Sequence, residues 1–285
     1  MDFSGLWIPL VTPFRGGDVD TAALARLVRH FAALGVAGFV PNGSTGEAAM
    51  LDDDEQRQVL AATVDAADGL PVIAGLAGVR PERVAERAQR LADAVPIAAF
   101  LLTAPAYVKP SQAGIAHFFE TVASASPRPI VAYDIPARTG VRIEARTLLA
   151  LADHPNIAAV KDCSGERAAA EALLADGRLA LLAGNDDELF DQLARGAVGG
   201  ITASAHLRTA DFVALQRHVA AGRLPDARAL WRSLLPLVRA AFAEPNPAPL
   251  KAALARDGWI AEELRAPMQR ASAATADAVL AASRR

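Results

Sequence analysis

Lys161 combines a reactive residue type with an unusual position in the sequence. It ends the apolar run IAAVKDCSG, residues 157–165, which predicts a buried strand followed by a turn. A lysine taken out of water loses part of its preference for the charged form, and its neutral amine can form an imine with a carbonyl compound. The alternative is a structural ion pair between Lys161 and Asp162 at the strand end.

Polar side chains also follow other apolar runs of the chain. They are Thr12; Ser44, Thr45 and Glu47; Tyr107; Tyr133 and Arg138; Asn185 and Asp186; and Ser204 and His206. Tyr107 and Tyr133 are the chain's only two tyrosines. A phenol hydroxyl can move protons in a general acid–base step, and it can equally serve to hold a loop in place.

Two segments could bind anionic groups. The small residues of NGSTGE, 42–47, allow backbone amides and two hydroxyls to approach a ligand closely, and we expect this segment to open a helix. Alternatively, Ser44 or Thr45 only caps that helix. Arg138, in the segment PARTG, suits a bidentate contact with a carboxylate, or else an exposed salt bridge.

The histidines do not form a pattern typical of a metal site. His30, His117 and His218 lie in predicted helices and His154 precedes a proline, so that only His206 is expected near the other polar residues. The acidic trio 186–188 could bind a cation, but we expect it to start the next helix, where carboxylates offset the helix dipole. The sequence therefore predicts chemistry without a metal or another cofactor.

The elements that must position these residues are short strands. Eight apolar runs without polar alternation cover residues 6–12, 36–41, 71–77, 97–103, 129–135, 157–161, 179–184 and 199–204. Runs of this kind are typical of strands buried on both faces in a parallel sheet. Amphipathic segments such as 21–35 and 53–67 lie between them.

Eight strands with crossover helices predict an α/β fold, the (β/α)8 TIM barrel, whose chemistry lies at the carboxyl ends of the strands. A doubly wound open sheet is the alternative, but no glycine-rich dinucleotide turn follows the first strand. From Leu224 onward, helical segments occur with no strand between them. We therefore expect a barrel over residues 1–223 and a helical extension over 224–285 that packs on it.

Composition excludes several classes of partner. The 285 residues carry a formal net charge of −3 without a basic or acidic block, which argues against nucleic acid and anionic membranes as partners. Cys163 is the only cysteine, and the N-terminal stretch does not look like a signal peptide or a membrane span. These features predict a cytoplasmic protein.

Four motifs in order resemble the dihydrodipicolinate synthase and N-acetylneuraminate lyase family. They are GSTGE (43–47), YDIPARTG (133–140), VKDCSG (160–165) and AEPNPAPLKAAL (243–254). The resemblance covers nearly the whole chain. It implies a class I aldolase that forms an imine with pyruvate on a (β/α)8 barrel with a helical extension, assembled as a homotetramer.

Within the family, the chain most resembles the branch that condenses pyruvate with L-aspartate semialdehyde, because that branch also has an arginine in the segment RTG. The alternative is an aldolase or dehydratase for another 2-oxo acid, such as a keto-deoxy sugar acid, 4-hydroxy-2-oxoglutarate or N-acetylneuraminate. A non-catalytic sensor of a 2-oxo acid is a third possibility, which the presence of Lys161, Tyr133 and Tyr107 disfavours.

The resemblance also implies roles for individual residues. Lys161 would be the nucleophile, Tyr133 the proton relay and Ser44 the counterpart of a relay threonine. Tyr107 would complete the relay in a neighbouring subunit. The substrate-binding positions would be Thr45 for the pyruvate carboxylate, Arg138 for the semialdehyde carboxylate, and Gly184 and Ile201 for the walls of the pyruvate pocket.

The chain departs from the family pattern at a few positions. KDCSGE and SAHL replace commoner segments, and a single tyrosine follows Ala106 where two adjacent tyrosines often occur. Family members that are inhibited by lysine bind it beside that tyrosine pair. The matching positions here are Ala106, Asp53, Gln56 and Arg80, which predicts that lysine does not bind.

Overall fold

A computed structural model describes residues 1–284 of the chain. Its main sheet contains eight parallel strands, one for each of the eight apolar runs, and a two-stranded antiparallel hairpin lies after the first of them. The strands are β1 Gly5–Ile8, β2 Phe14–Arg15, β3 Asp18–Val19, β4 Gly38–Phe39, β5 Ile73–Leu76, β6 Ala99–Thr103, β7 Ile130–Asp134, β8 Ile157–Asp162, β9 Ala180–Ala183 and β10 Gly199–Ile201, with β2 and β3 forming the hairpin.

The sheet closes on itself. Its strand order is β4-β1-β10-β9-β8-β7-β6-β5, and a parallel bridge between Phe39 and Val72 joins the two outer members. Between successive strands the chain returns through helices, so the fold is the predicted (β/α)8 barrel. The doubly wound alternative is wrong, because an open sheet would leave β4 and β5 apart.

Helices surround the barrel and continue beyond it. They are α1 Thr21–Ala33, α2 Asp53–Ala66, α3 Pro81–Ala94, α4 Gln112–Ala125, α5 Pro136–Thr139, α6 Ala145–Leu151, α7 Arg167–Asp176, α8 Leu189–Arg195, α9 Thr209–Ala220, α10 Leu224–Ala241, α11 Ala248–Arg256 and α12 Ala273–Ser283. Across residues 1–284, no helix combines the length and the hydrophobicity that a membrane crossing requires.

The start of α2 differs from the expectation that NGSTGE opens a helix. The segment 42–47 is followed by a single 3-10 turn over Ala48–Met50, and α2 begins only at Asp53. Asp52 is the reason, because its side chain and that of Glu55 form a reciprocal capping box that fixes the helix start there. Ser44 and Thr45 are thus free of a capping role.

The helical extension begins at Leu224, where the sequence pattern changes. Helix α10 packs against α9 of the barrel, and α12 packs against both α10 and α11. The division into 1–223 and 224–285 stays a prediction, since α10 continues the packing of the last barrel helix without a break.

Strand geometry decides which side chains point into the barrel. Successive residues of a strand point to opposite faces, so every second side chain enters the interior. The interior cluster includes Val131 and Tyr133 of β7, Ala159 of β8 and Cys163 just beyond it. In the same register, Tyr133 of β7 pairs with Lys161 of β8, which brings both side chains to the carboxyl end of the barrel.

Candidate active site

A cavity of about 270 Å³ opens at the carboxyl ends of the strands. Its lining combines residues from the barrel loops with residues of the helical extension. The residues are Pro9, Ser44, Thr45, Tyr133, Ile135, Arg138, Lys161, Cys163, Gly184, Asn185, Asp186, Asp187, Ile201, Ala203, Val238, Arg239, Phe242 and Asn246. Seven of the eight predicted site residues are among them, and Tyr107 is not.

Lys161 lies buried at the base of this cavity, with 6% of its surface exposed. Burial holds its pKa below the ordinary value of 10.5; Cys163 and Asp186 oppose that shift, and the positive charge of Arg138 adds to it. The alternative of an ion pair with Asp162 is not realised. Asp162 instead accepts hydrogen bonds from Ser164 and from the Gln192 amide, at 2.8 and 3.2 Å.

Tyr133 lies directly beside this lysine. The Nζ atom of Lys161 is 4.3 Å from the centre of the Tyr133 ring. Burial raises the pKa of the Tyr133 phenol well above 10, so that it is neutral and can donate its proton. The Cys163 thiol points at the phenol oxygen from 3.9 Å as a weak donor. Burial also raises the pKa of that thiol, to about 12.

Ser44 and Thr45 line the cavity from the loop after β4. A hydrogen bond from a side chain holds this loop close to the barrel, because the Thr12 hydroxyl donates to the carbonyl oxygen of Gly46 at 2.7 Å. A side chain at Gly46 would bring its Cβ within 3.0 Å of the Leu10 carbonyl oxygen. Glycine at position 46 therefore allows the loop to pack closely on the barrel, where Ser44 and Thr45 line the same cavity as Lys161.

Arg138 lies at the cavity mouth, on the short helix α5. Its side chain is exposed, and within residues 1–284 it forms no ion pair. The glycine that follows this helix, Gly140, adopts φ +75°, the left-handed conformation that ends a helix. The guanidinium is therefore available to a ligand, and the alternative of an exposed salt bridge is not realised.

Gly184 and Ile201 line the same cavity as Lys161. A Cβ atom at position 184 would lie 2.4 Å from the Cys163 Sγ and 2.8 Å from the Asp162 carbonyl oxygen. Any larger residue at position 184 would therefore collide with the Cys163 side chain and crowd that of Lys161.

Tyr107 points away from the cavity of its own chain. It is 93% exposed and has φ +72°, and its backbone N–H donates to the Thr139 carbonyl oxygen at 3.2 Å. That contact places the Tyr107 loop next to α5, which carries Arg138. The hydroxyl of Tyr107 does not join the other predicted site residues within one chain.

Two other strand-end residues have structural partners. His206 is buried, accepts a hydrogen bond from the Val11 N–H at 3.2 Å through Nε2 and contacts the Ala203 carbonyl oxygen at 2.8 Å through Nδ1. Burial lowers its pKa to about 4, so it is neutral near pH 7. Glu47 is also fully buried and forms an ion pair with Lys251.

The acidic trio lies at the start of the next helix. Residues 186–188 form a 3-10 turn that continues directly into α8 at Leu189. Asp186 is buried and accepts hydrogen bonds from the backbone N–H groups of Ala203 and Ser204, at 3.2 and 2.6 Å, and from the Ser204 hydroxyl. It therefore ties the loop after β9 to the turn after β10.

Several lining residues were not predicted. Cys163 follows Lys161 by two positions and shares its strand face, a spacing that could have identified it. Arg239, Phe242 and Asn246 come from the extension. Of these three, only Asn246 lies in a motif that the sequence analysis identified, the segment NPAP. Among residues 1–284, no three His, Cys, Asp or Glu side chains cluster as metal ligands would.

A (β/α)8 barrel that encloses one lysine beside a tyrosine at the carboxyl ends of its strands is typical of the class I aldolases, which are lyases. The comparisons with known proteins agree with this class. The sequence profile of the Dihydrodipicolinate synthetase family matches residues 2–283, and the chain belongs to that family.

Individual relatives are similar over nearly their full lengths. The 4-hydroxy-tetrahydrodipicolinate synthase of Sorangium cellulosum is 40% identical over 291 residues, covering 100% of this chain and 96% of that protein. The 4-hydroxy-tetrahydrodipicolinate synthase 2 of Clostridium acetobutylicum is 36% identical over 272 residues, 94% of this chain and 95% of that protein. The crystal structure of dihydrodipicolinate synthase from Thermotoga maritima has a TM-score of 0.96 at 30% identity, with 100% of this chain and 98% of that one covered.

Proposed function

We propose that this chain is a 4-hydroxy-tetrahydrodipicolinate synthase, which condenses pyruvate with L-aspartate semialdehyde in lysine and diaminopimelate biosynthesis. The observation that carries the proposal is the burial of Lys161 against Tyr133 in a cavity that Thr45 and Arg138 also line. These groups supply a nucleophile, a neutral proton donor, a hydroxyl for one carboxylate and a guanidinium for another.

The reaction begins at the lysine amine. Neutral Lys161 attacks the C2 carbonyl of pyruvate, and loss of water leaves an iminium that withdraws electrons from C3. A C3 proton then leaves, and the resulting enamine forms a carbon–carbon bond with the aldehyde carbon of the second substrate. The substrate amine displaces the lysine from C2, which closes the ring and frees Lys161.

Each hydroxyl near the cavity has a part in moving these protons. The neutral phenol of Tyr133 gives a proton to the departing water and takes one back later, with Ser44 next to it on the relay. Thr45 holds the pyruvate carboxylate by a hydrogen bond. Arg138 at the mouth holds the carboxylate of the semialdehyde, and it favours this acceptor over a neutral sugar chain.

We infer that Tyr107 completes the relay in a neighbouring copy of the chain. Its 93% exposure and its left-handed backbone suit a side chain that another subunit covers, since an exposed tyrosine in a strained conformation is costly without a partner. A homotetramer made of two such pairs is the assembly we propose, acting in the cytoplasm without a metal or other cofactor.

Covalent trapping tests the central step. The purified protein is incubated with pyruvate and borohydride, digested and analysed by mass spectrometry. We expect one reduced pyruvyl group on the peptide that contains Lys161, and none in Lys161→Ala. Labelling at another lysine, or turnover without labelling, would refute the proposal. Turnover of a keto-deoxy sugar acid but not of aspartate semialdehyde would support the other 2-oxo-acid reaction.

A further inference from the structure

The Ser44–Thr45 loop is held from outside the barrel by the helical extension. Lys251 on α11 forms an ion pair with Glu47, the last residue of GSTGE, and both side chains are fully buried. The Lys251 ammonium also donates to the Glu263 carbonyl oxygen at 2.8 Å. The two partners are 204 positions apart in the sequence, so the pair joins the beginning of the barrel to the end of the chain.

Further contacts surround this ion pair. The second carboxylate oxygen of Glu47 accepts a hydrogen bond from the Arg265 N–H at 3.0 Å, and the Arg265 guanidinium donates to the Met50 carbonyl oxygen at 3.0 Å. The ring of Phe14 lies under both cations, 4.2 Å from the Lys251 Nζ and 4.6 Å from the centre of the Arg265 guanidinium. The carboxylate of Glu47 is thereby fixed in place.

A third contact reaches the substrate-binding loop itself. The Asn246 side-chain amide donates to the Thr45 hydroxyl oxygen at 2.9 Å. Since that oxygen already accepts a hydrogen bond from Asn246, the hydroxyl proton of Thr45 is left to donate to another acceptor. The carboxylate of pyruvate, which the proposed function places there, is such an acceptor.

A buried ion pair contributes little to stability, because desolvation of both charges offsets most of their attraction. Glu47 also has φ +57°, a left-handed conformation that a residue with a side chain adopts only when its surroundings hold it there. Fold stability alone therefore does not account for the pair, and a requirement for one fixed loop geometry does.

We propose that Lys251, Glu47 and Asn246 form a clamp by which the helical extension positions the Ser44 and Thr45 hydroxyls for pyruvate. This inference rests on the proposed function. The three are positioning residues, because they act through the loop and not on the substrate. The clamp makes the pyruvate step, and not the aldehyde step, dependent on the extension.

The test uses two variants of the full chain. Glu47→Gln/Lys251→Met removes both charges together, so that no unpaired charge stays buried, and Asn246→Ala removes the donor to Thr45. Arg256→Met is the matched control, because Arg256 pairs with Asp277 within the extension and does not touch the loop. For each protein we measure the pyruvate concentration that gives half-maximal borohydride trapping, and the KM for aspartate semialdehyde.

We expect both clamp variants to need at least about tenfold more pyruvate, since small displacements of positioning groups cost large factors in rate. Their KM for the aldehyde should change less than about twofold, and Arg256→Met should match the wild type. Equal loss of activity with both concentration dependences unchanged would mean that the pair only holds the fold together, and would overturn the clamp. Absence of trapping in the wild type would instead refute the proposed function.

Discussion

The Nζ atom of Lys161 lies 4.3 Å from the centre of the Tyr133 ring, on the neighbouring strand of the barrel. Burial holds the pKa of the Lys161 amine below its ordinary value, and the Tyr133 ring is one of the groups packed against that amine. Burial also keeps the Tyr133 phenol neutral, so that it can donate a proton. We therefore expect Tyr133 to contribute both to the burial of the amine and to proton transfer. These two contributions can be separated by substitution.

Tyr133→Phe keeps the ring and loses the hydroxyl. We expect kcat to fall by about 10²- to 10⁴-fold, the range typical of a lost acid–base group, while borohydride trapping still labels Lys161. Tyr133→Ala also admits water, which should return the pKa of Lys161 toward its ordinary value. The pH at which trapping reaches half its maximal rate should then be higher than in Tyr133→Phe. An identical pH dependence in both variants would show that the ring does not control the lysine.

Arg138→Ala tests the binding of the second substrate. The loss of one charge-assisted contact is worth about 1.5–3 kcal/mol, which is about a 10- to 150-fold decrease in kcat/KM for aspartate semialdehyde. Trapping by pyruvate alone should be nearly normal. Arg146→Ala is the control, because Arg146 forms an exposed pair with Glu144 away from the cavity. A similar decrease in both variants would show that Arg138 does not bind the carboxylate of the semialdehyde.

Mixed assemblies test the role of Tyr107. Tyr107→Phe and Lys161→Ala should each be nearly inactive, and mixing them under conditions of subunit exchange should restore part of the activity through hybrid sites. Exchange is verified by native mass spectrometry with one variant isotopically labelled. If subunits exchange and no activity returns, Tyr107 does not serve a neighbouring site.

Asp134→Asn should stabilise the protein at neutral pH. Burial raises the pKa of Asp134 from 3.8 to about 7, so the folded chain holds a proton between these values that the unfolded chain has released. Its contribution to stability therefore decreases as the pH rises from about 4 to 7. Asparagine can still accept the hydrogen bond that the Ile143 N–H gives Asp134 at 3.1 Å.

The gain in the free energy of unfolding should be on the order of 1–4 kcal/mol at pH 8 and should largely vanish at pH 4. Chemical denaturation at the two pH values measures it. Asp65→Asn on the exposed face of α2 is the control. A gain that is equal at both pH values would mean that the Asp134 carboxyl does not titrate in this range.

Lysine should not regulate this enzyme. At the positions that match a lysine site, Asp53 already pairs with Arg87 and Arg90, at 3.5 Å each, and the buried Gln56 donates to the carbonyl oxygens of Ala48 and Leu51. Few polar groups are left to bind an amino acid there, and Arg80 adds a positive charge. We expect millimolar lysine to change neither turnover nor Tm. Saturable inhibition would contradict this interpretation.

Local sequence patterns are sufficient to predict the barrel and to place most of the proposed site residues at its carboxyl end. Apolar runs without alternation fix eight parallel strands, because both faces of each strand are buried. The period of the strand then dictates that Tyr133 and Lys161 point into the barrel at its carboxyl end. These are consequences of local pattern and covalent geometry, and the motifs add Ser44, Thr45 and Arg138.

The way in which distant segments meet at the cavity depends on tertiary packing. The contact of Asn246 with Thr45, the burial of Asp186 against Ser204 and the pairing of Lys251 with Glu47 depend on how the extension and the loops pack. The exposure of the Tyr107 side chain likewise depends on the tertiary structure. Local pattern does not encode such contacts, because the free energy of a buried polar group depends on partners brought in from elsewhere in the chain.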